Sequence, residues 1–329
     1  MKEKSERLKK LQKLFKLQQF IRDFFLEREF IDVLTPPMVQ NPGMETHIHP
    51  FQVRSPHNKE NLELYLHTSP EFHMKELLSL GFSKIYNISY CFRDEPNSTH
   101  HRPQFLMLEW YRTQEFYTTI MKDTEDLFKY CCEKMLASGE EIKSELKNFS
   151  PMKKTVQEIF LEVLKIDILE YLEKDKLLAL IRERFPQVPL PPEKDDHLLS
   201  WDDGYFLLFL NEVEPKLKEY PFIILYNFPH HLSALSTINK DDSRVCDRFE
   251  VYSFGIELCN SFNELTELDL LRERFNEQGR LKENLYQYKL PEPSEFYKTM
   301  KSLPTSSGIA LGVERLLMSI CDIENPFYY

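Results

Sequence analysis

The sequence predicts an α+β fold, because it combines strand pairs in hairpin arrangement with segments of helical periodicity. Residues 84–111 alternate apolar and polar side chains on both sides of a polar loop, which is typical of two strands with a long connection. A second pair of apolar strands meets at Ser253-Phe254-Gly255, another hairpin signal. Helical periodicity runs through the first thirty residues and through much of 114–220.

Composition narrows the classes of protein that the chain can belong to. Its 329 residues can hold one large domain or two ordinary ones, and a hydrophobic fraction of 42% is ample for a core. No apolar run is long enough to cross a bilayer or to form a signal peptide, so we expect no membrane partner. Six cysteines without C-x-x-C or zinc-type spacing indicate a reduced, cytoplasmic protein. A net charge of −11 argues weakly against tRNA as the main partner.

Two helix boundaries stand out before the first hairpin. The amphipathic N-terminal helix stops before Thr35-Pro36-Pro37, because consecutive prolines cannot continue a helix. Ser69, Pro70 and Glu71 then predict a helix start, with a capping hydroxyl, a proline in the first turn and an acid beside the positive helix end.

The middle of the chain has little recognisable chemistry. Residues 114–135 read as a helix, and the pattern stays mainly helical to about Pro221, where an apolar run predicts a buried strand. Internal repeats and low-complexity segments are missing from the sequence. We therefore predict a single catalytic domain over 1–329 with a helical insertion at about 114–220.

The first hairpin carries charged residues inside its strands. Period-two alternation places Arg93, Glu109 and Tyr111 on one face and leaves an apolar face opposite. A buried charge is costly unless it is paired. A salt-bridged structural sheet is one interpretation, but a ligand site explains the pattern better.

Two later segments also contain candidate ligands. Glu257 lies within an apolar strand and Glu264 at the predicted start of the next helix, and such close carboxylates suggest magnesium. The alternatives are a salt bridge for Glu257 and an ordinary first-turn acid for Glu264. In 308–318, glycines allow a ligand to approach the backbone, and Arg315 can place its planar fork on a phosphate at a helix start.

The sequence FRDEPNSTHHRPQFLMLEWY, residues 92–111, resembles motif 2 of the class II aminoacyl-tRNA synthetases in its lysine-type version. The N-terminal helix with its proline-ended strand resembles motif 1, and GIALGVERLLM, residues 308–318, resembles motif 3. The three motifs occur in the family's order, and the likeness extends from about Leu14 to Met318. It is strongest to the lysyl-tRNA synthetase paralogues that modify elongation factor P. The resemblance implies an antiparallel sheet flanked by helices and a homodimer formed through motif 1.

The resemblance also implies a role for individual residues. Arg93 would hold the α-phosphate of ATP and the substrate carboxylate, Arg315 the γ-phosphate, and Phe105 would stack on adenine. The other ATP-binding positions implied are Asp94, Glu95, His101, Arg102, Glu257, Leu258 and Gly312. The amino acid substrate would be held by Ser69, Pro70, Glu71, Tyr111, Glu264 and Ala310. Magnesium would lie at Glu257 and Glu264.

The chain departs from the family's pattern at Ser261 and in the motif 2 loop, where Pro96-Asn97-Ser98 also stands in place of the usual acids or glycine. Ser261 replaces the usual glycine and adds bulk beside the pocket. In the motif 2 loop, Arg102 replaces an asparagine and Gln104 a glutamate. Ala310 stands where lysyl-tRNA synthetases usually carry glycine, as it does in the paralogues. The implied substrate is lysine or β-lysine, activated with ATP and transferred to a lysine of elongation factor P.

Three other functions fit parts of the sequence. A lysyl-tRNA synthetase would need an anticodon-binding domain, which we do not expect here. A ligase of the asparagine-synthetase type would lack acids suited to a lysine ammonium. An inactive regulatory paralogue would normally have lost Arg93, Glu257 or Arg315, and all three are present.

Overall fold

The computed structural model describes residues 2–54, 57, 63–98 and 101–327, and contacts divide the chain into two compact units. The first unit comprises 1–144 and 264–329, and the second comprises 145–263. The helices are α1 (Lys2–Leu26), α2 (Glu71–Ser79), α3 (Tyr117–Ala137), α4 (Val156–Leu164), α5 (Lys174–Arg184), α6 (Trp201–Leu208), α7 (Leu268–Tyr286), α8 (Ser294–Met300) and α9 (Val313–Ile320). The strands are β1 (Ile31–Asp32), β2 (Met38–Val39), β3 (Gln52–Val53), β4 (Leu64–Leu66), β5 (Lys84–Phe92), β6 (Gln104–Thr113), β7 (Met152–Thr155), β8 (Ile223–Pro229), β9 (Val245–Ser253), β10 (Ile256–Asn263) and β11 (Ser306–Gly312).

In the first unit, strands follow the order β1-β5-β6-β11, beside a small sheet ordered β2-β4-β3. The predicted first hairpin is confirmed as β5 and β6, which pair antiparallel with Asn87 opposite Glu109. β11 adds antiparallel to β6 and sets Ala310 opposite Glu109 and Gly308 opposite Tyr111. Because residues opposite each other in register point to the same face, these side chains share one surface.

The two faces of this hairpin are less distinct than the alternation predicts. Tyr90, expected on the apolar face, is exposed, whereas Asn87 on the other face is buried and donates to the carbonyl oxygen of Val33. Along β6, residues 106–111 are buried without alternation. Helices α2 and α9 both pack on β6, so neither face is left to solvent.

The second unit contains the strand order β10-β9-β8-β7 and a core formed with α4, α5 and α6. The predicted β9–β10 hairpin is confirmed, and its turn has positive φ at both Phe254 (51°) and Gly255 (77°). Two such residues form the type of turn that matches the twist of paired strands. The predicted insertion at 114–220 does not coincide with this unit, because α3 belongs to the first unit and β8 to β10 belong to the second. A single catalytic domain stays a prediction.

The α+β class is confirmed, but the sheet is mixed and not purely antiparallel. β1 pairs parallel with β5, and β7 pairs parallel with β8. Parallel strands cannot be joined by a tight hairpin turn, and each of these pairs is joined by a connection long enough for a crossover. Within the described ranges, none of the helices combines the length and apolar character that a bilayer crossing requires.

Candidate active site

The shared face of β6 and β11 holds the tyrosine that the motif 2 resemblance assigns to the substrate. The Tyr111 ring lies directly over Gly308: a Cβ atom there would be 2.1 Å and 2.3 Å from two ring carbons. The sequence predicts that this glycine makes room for a ligand. The structure corrects that prediction, because the space above Gly308 is filled by Tyr111.

Hydrogen bonds join Tyr111 to the loop before α2 through Glu109. The Tyr111 hydroxyl donates to Glu109 Oε2 at 3.1 Å, and the Ser69 hydroxyl donates to Glu109 Oε1 at 2.5 Å. Ser69 Oγ also accepts from the backbone N–H of Glu71 at 3.1 Å. Glu109 is completely buried. The sequence placed Glu109 on this face without a role, and the structure makes it the centre of the network.

A buried lysine that sequence reasoning missed links two of the predicted substrate residues. Lys75 Nζ is 2.6 Å from Glu71 Oε1 and 2.7 Å from Glu264 Oε2. The three side chains are buried or nearly so, with Lys75 only 1% exposed. The spacing of Glu71 and Lys75, four residues apart on a helix, was the available signal. Such pairs are usually surface features, so it did not point to a site.

Burial makes these acids hard to ionise. Desolvation raises the pKa of Glu109 to about 8, with a further contribution from the charge of Glu71 and opposition from the Ser69 and Tyr111 hydrogen bonds. Burial likewise raises the pKa of Glu264, although the ammonium of Lys75 opposes the shift. Burial alone would lower the pKa of Lys75, but Glu264 and Glu71 outweigh it and keep this side chain charged. The network therefore holds more carboxylates than cations.

Arg93 lies next to the same loop. Its Nε donates to the carbonyl oxygen of Thr68 at 3.4 Å, one residue before Ser69. Its guanidinium lies 5.3 Å from the centre of the Phe105 ring, within cation–π range. The structure thus brings together Arg93 and Phe105, as a shared nucleotide site requires.

The motif 2 loop reaches Arg315 through a histidine. His101 Nδ1 is 2.9 Å from Glu95 Oε2, and His101 Nε2 is 3.3 Å from an Arg315 nitrogen. The hydrogen bond from His101 lowers the pKa of Glu95. Asp94 is fixed by its backbone N–H, which donates to the carbonyl oxygen of His49 at 2.7 Å.

Arg102, which the resemblance places among the ATP-binding positions, forms hydrogen bonds with nearby residues of the chain. Its guanidinium donates to the carbonyl oxygen of His101 at 2.7 Å and to Asn325 Oδ1 at 3.0 Å. It also lies 4.8 Å from the Phe327 ring centre. Thr99 and His100 of this loop lie outside the described residues.

Within motif 3, Gly312 directly precedes helix α9. The carboxylate of Glu314 accepts from the backbone N–H of Leu106, with both oxygens at 3.0 Å. Burial raises the pKa of Glu314 to about 7. Sequence reasoning placed Glu314 at the helix start without a function. In the structure, this hydrogen bond fixes the position of β6, next to Phe105, relative to helix α9.

Glu257 and Leu258 belong to the second unit, on β10 at an irregularity in its pairing with β9. Asn260 on the same strand accepts at Oδ1 from Nε of the buried Arg248, at 3.1 Å. Side chains of neighbouring strand residues face opposite ways, so Ser261, which is fully buried, faces away from the Asn260 side. The expectation that Ser261 adds bulk beside the pocket stays a prediction.

A magnesium site at Glu257 and Glu264 stays a prediction for the residues that the structure describes. Among them, three or more His, Cys, Asp or Glu side chains are nowhere grouped as a metal site needs. Glu264 has an ammonium 2.7 Å from one of its oxygens. That partner suits an acid that binds cations of the ammonium type better than it suits a metal ligand.

Two local predictions around these acids are wrong. Glu264 does not start a helix: its N–H donates to the carbonyl oxygen of Ser306, and α7 begins only at Leu268. Pro70, not Ser69, precedes the first residue of α2, and the Ser69 hydroxyl makes a local turn with Glu71. Glu264 is held by a contact with a residue distant in sequence, which the sequence pattern does not reveal.

The chain is similar to a known family and to several named relatives. Residues 2–325 match the model of the family described as tRNA synthetases class II (D, K and N). A relative from Yersinia enterocolitica, named elongation factor P--(R)-beta-lysine ligase, is 37% identical over 306 residues, covering 91% of this chain and 86% of the relative. Relatives with the same name from Hamiltonella defensa and Proteus mirabilis are both 34% identical, covering 93% and 95% of this chain and 89% and 91% of the relatives.

Replacing Gly308 by alanine should displace Tyr111. The added Cβ would overlap the ring and stand 2.8 Å from Glu264 Oε1, so we expect a loss of unfolding free energy of about 3 kcal/mol. Gly279→Ala in α7 is the matched control: its nearest neighbour would be Met44 Cε at 3.8 Å, and alanine should stabilise the helix by about 0.5–1 kcal/mol. Urea unfolding measures both, and equal stability of Gly308→Ala and wild type would contradict this packing.

The raised pKa of Glu109, about 8, predicts a pH-dependent stability difference. The folded state holds a proton on Glu109 that the unfolded chain releases, so stability from this group is lost as pH rises from about 5 to about 8. Relative to Glu109→Gln, the unfolding free energy of wild type should fall by at most about 1.4 kcal/mol per pH unit. Urea unfolding at several pH values tests this, with the exposed Glu295→Gln as control. Parallel curves for wild type and Glu109→Gln would reject the assignment.

Proposed function

This chain belongs to the class II tRNA synthetases (D, K and N), and we propose that within this family it is an AMP-forming ligase. It would use ATP to activate lysine or (R)-β-lysine and transfer it to a lysine side chain of elongation factor P. Support comes from the relatives named for this reaction, which match more than 90% of the chain. The chain also spans most of each relative's length.

One observation carries the proposal: a cationic and an acidic part of the first unit meet at a single loop. Arg93 touches the carbonyl oxygen of Thr68, and the next residue, Ser69, begins the hydrogen bonds to Glu109 and Glu71. A ligand with a carboxylate at Arg93 can therefore direct its amino groups toward buried acids. An amino acid with two ammonium groups has this distribution of charge.

The first chemical step would join the amino acid to AMP. A carboxylate oxygen attacks the α-phosphorus of ATP, and the bond to pyrophosphate breaks. Little covalent chemistry falls to the protein, so its contribution is to position the reactants and to neutralise negative charge. Arg93 would hold the α-phosphate and the carboxylate, Phe105 the adenine, and Arg315 the γ-phosphate beside His101 and Glu95.

In the second step a neutral lysine amine of elongation factor P would attack the activated carbonyl carbon. The bond from that carbon to the AMP oxygen breaks, and the amine gives up a proton. An amide forms between the two lysine-type groups. The chain's own residues hold the adenylate in place during this attack.

The acidic network would select the substrate through its ammonium groups. Glu71, Glu109 and Glu264 are nearly or fully buried, and only Lys75 among the described residues forms ion pairs with any of them. A substrate with two ammonium groups supplies the missing positive charge. Ala310, opposite Glu109 on the same face, would shape the pocket wall.

Magnesium, when bound with ATP, would neutralise phosphate charge during adenylate formation. Glu257 is the residue we propose as its protein ligand, with the substrate phosphates supplying further oxygens. Glu264 is better suited to the substrate ammonium because of its contact with Lys75.

Exposed apolar side chains support a homodimer formed through the motif 1 segment. On α1, Leu8 and Phe15 are 57% and 53% exposed, and beyond it Leu34 is 91% exposed. Exposed apolar residues on one segment are typical of a protein interface. A cytoplasmic location, which we also propose, agrees with the six buried cysteines, which form no disulfide among the described residues.

The acceptor test decides between protein modification and tRNA charging. We expect the purified chain, with ATP and a lysine isomer, to add one lysine-type mass to elongation factor P and to charge tRNA(Lys) poorly. Mass spectrometry of both acceptors in one reaction measures this, and elongation factor P with its acceptor lysine changed to arginine is the control. Efficient tRNA charging beside unmodified elongation factor P would reject the proposal.

Arg93→Ala should abolish ATP–pyrophosphate exchange while the protein stays folded. The lost arginine is assigned to the charge of the reacting phosphate, so we expect a rate loss of about 10³-fold or more. The control is Arg244→Ala, which removes a surface arginine paired with Asp242 and should leave exchange intact. Normal exchange in Arg93→Ala would remove Arg93 from the nucleotide site.

A further inference from the structure

Lys75 has an environment that its position on a helix does not require. Its Nζ lies between Glu71 Oε1 and Glu264 Oε2, at 2.6 Å and 2.7 Å. The ring centre of Phe296 is 6.0 Å away, and the side chain is 1% exposed. A buried ammonium is costly unless it is paired, and this one is paired twice.

The bridge commits one oxygen of each acid and leaves the other. Glu71 keeps Oε2, and Glu264 keeps Oε1. Glu264 Oε1 lies 2.8 Å from the point where a Cβ of Gly308 would stand, beside the Tyr111 ring. The oxygen not engaged by Lys75 thus lies on the face that also carries Glu109 and Ala310.

A carboxylate that offers only one oxygen suits an ammonium group better than a guanidinium group. An ammonium donates separate hydrogen bonds in three directions, and each can end on a single oxygen. A guanidinium prefers a parallel pair of bonds to both oxygens of one carboxylate. Because one oxygen of each acid already faces the Lys75 ammonium, a guanidinium that takes both oxygens of Glu71 or Glu264 must share that oxygen with a like charge.

We propose that Lys75 is a specificity-determining positioning residue, which makes the acidic network accept an ammonium group and reject a guanidinium group. This rests on the proposed function, because it assumes that Glu71 and Glu264 face the substrate. Lys75 does not react. It acts through the two carboxylates by fixing their orientation and by occupying one oxygen of each.

The test compares two probes of similar length by calorimetry: 1,5-diaminopentane, with two ammonium groups, and agmatine, with one ammonium and one guanidinium group. Wild type should prefer diaminopentane by at least tenfold. In Lys75→Met, which keeps the length of the side chain without the charge, the preference should fall by at least tenfold. A purely structural role would weaken both probes equally and leave their ratio unchanged.

Further variants separate this role from loss of folding. The double variant Lys75→Met, Glu264→Gln removes one charge of each sign. It should show the same reduced preference for diaminopentane, because Glu71 then has no ammonium on one of its oxygens. Glu264→Gln alone keeps the Lys75–Glu71 pair and should retain more of the preference for diaminopentane over agmatine. The control Lys282→Met removes another buried lysine, bound to the carbonyl oxygen of Ile48, and should keep the wild-type ratio.

The outcomes for Lys75 and for the proposed function are distinguishable. An unchanged ratio in both Lys75 variants, or no binding of diaminopentane to wild type, overturns the role of Lys75. If wild type binds and discriminates the probes but no lysine isomer supports ATP–pyrophosphate exchange, the proposed function fails while the role of Lys75 stands.

Discussion

The first unit depends on burying more carboxylates than cations in one network. Glu109 and Glu264 are fully buried, and among the described residues the ammonium of Lys75 pairs with Glu264 and Glu71 but forms no ion pair with Glu109. Every such acid costs desolvation energy that folding must offset elsewhere. Hydrogen bonds from Ser69 and Tyr111 reduce the cost, and the raised pKa of Glu109 reflects what remains. On the proposed function, a cationic ligand would relieve this cost by favouring the ionised form of these acids.

The surrounding fold is arranged to keep those acids in place. Tyr111 can reach Glu109 only because Gly308 has no side chain beneath its ring. Glu314 holds the N–H of Leu106 and thereby fixes the strand that carries Glu109 and Tyr111. Motif 3 therefore supports the acidic network through strand register, in addition to supplying Arg315. On the proposed function, the contacts that pack these side chains are also the ones that hold the acids in position for the substrate.

The sequence predicted secondary-structure elements better than contacts between residues that are distant in sequence. Alternation and turn residues located β5, β6 and the β9–β10 hairpin, because these depend on neighbouring residues. It could not place Glu264, whose backbone bonds to Ser306, distant in sequence. It overlooked Lys75 for the same reason: a glutamate and a lysine four residues apart look like a surface pair until the fold adds Glu264. The resemblance located residues by motif, but it did not reveal what fills the space above Gly308.

The two parts of the site differ in burial, and the difference matches what each has to recognise. The side that we propose for the phosphates has His101, which is exposed, and Arg315, which is partly exposed. Phosphates carry enough charge to be held by exposed cations, and every nucleotide offers the same groups. Distinguishing a lysine-type amino acid is harder, because a pocket rejects a close analogue strongly only when buried polar groups would lose their partners. Glu109 and Glu264 satisfy that condition because they are desolvated. If these acids bind the substrate as we propose, the cost of burying them is the physical source of the selectivity.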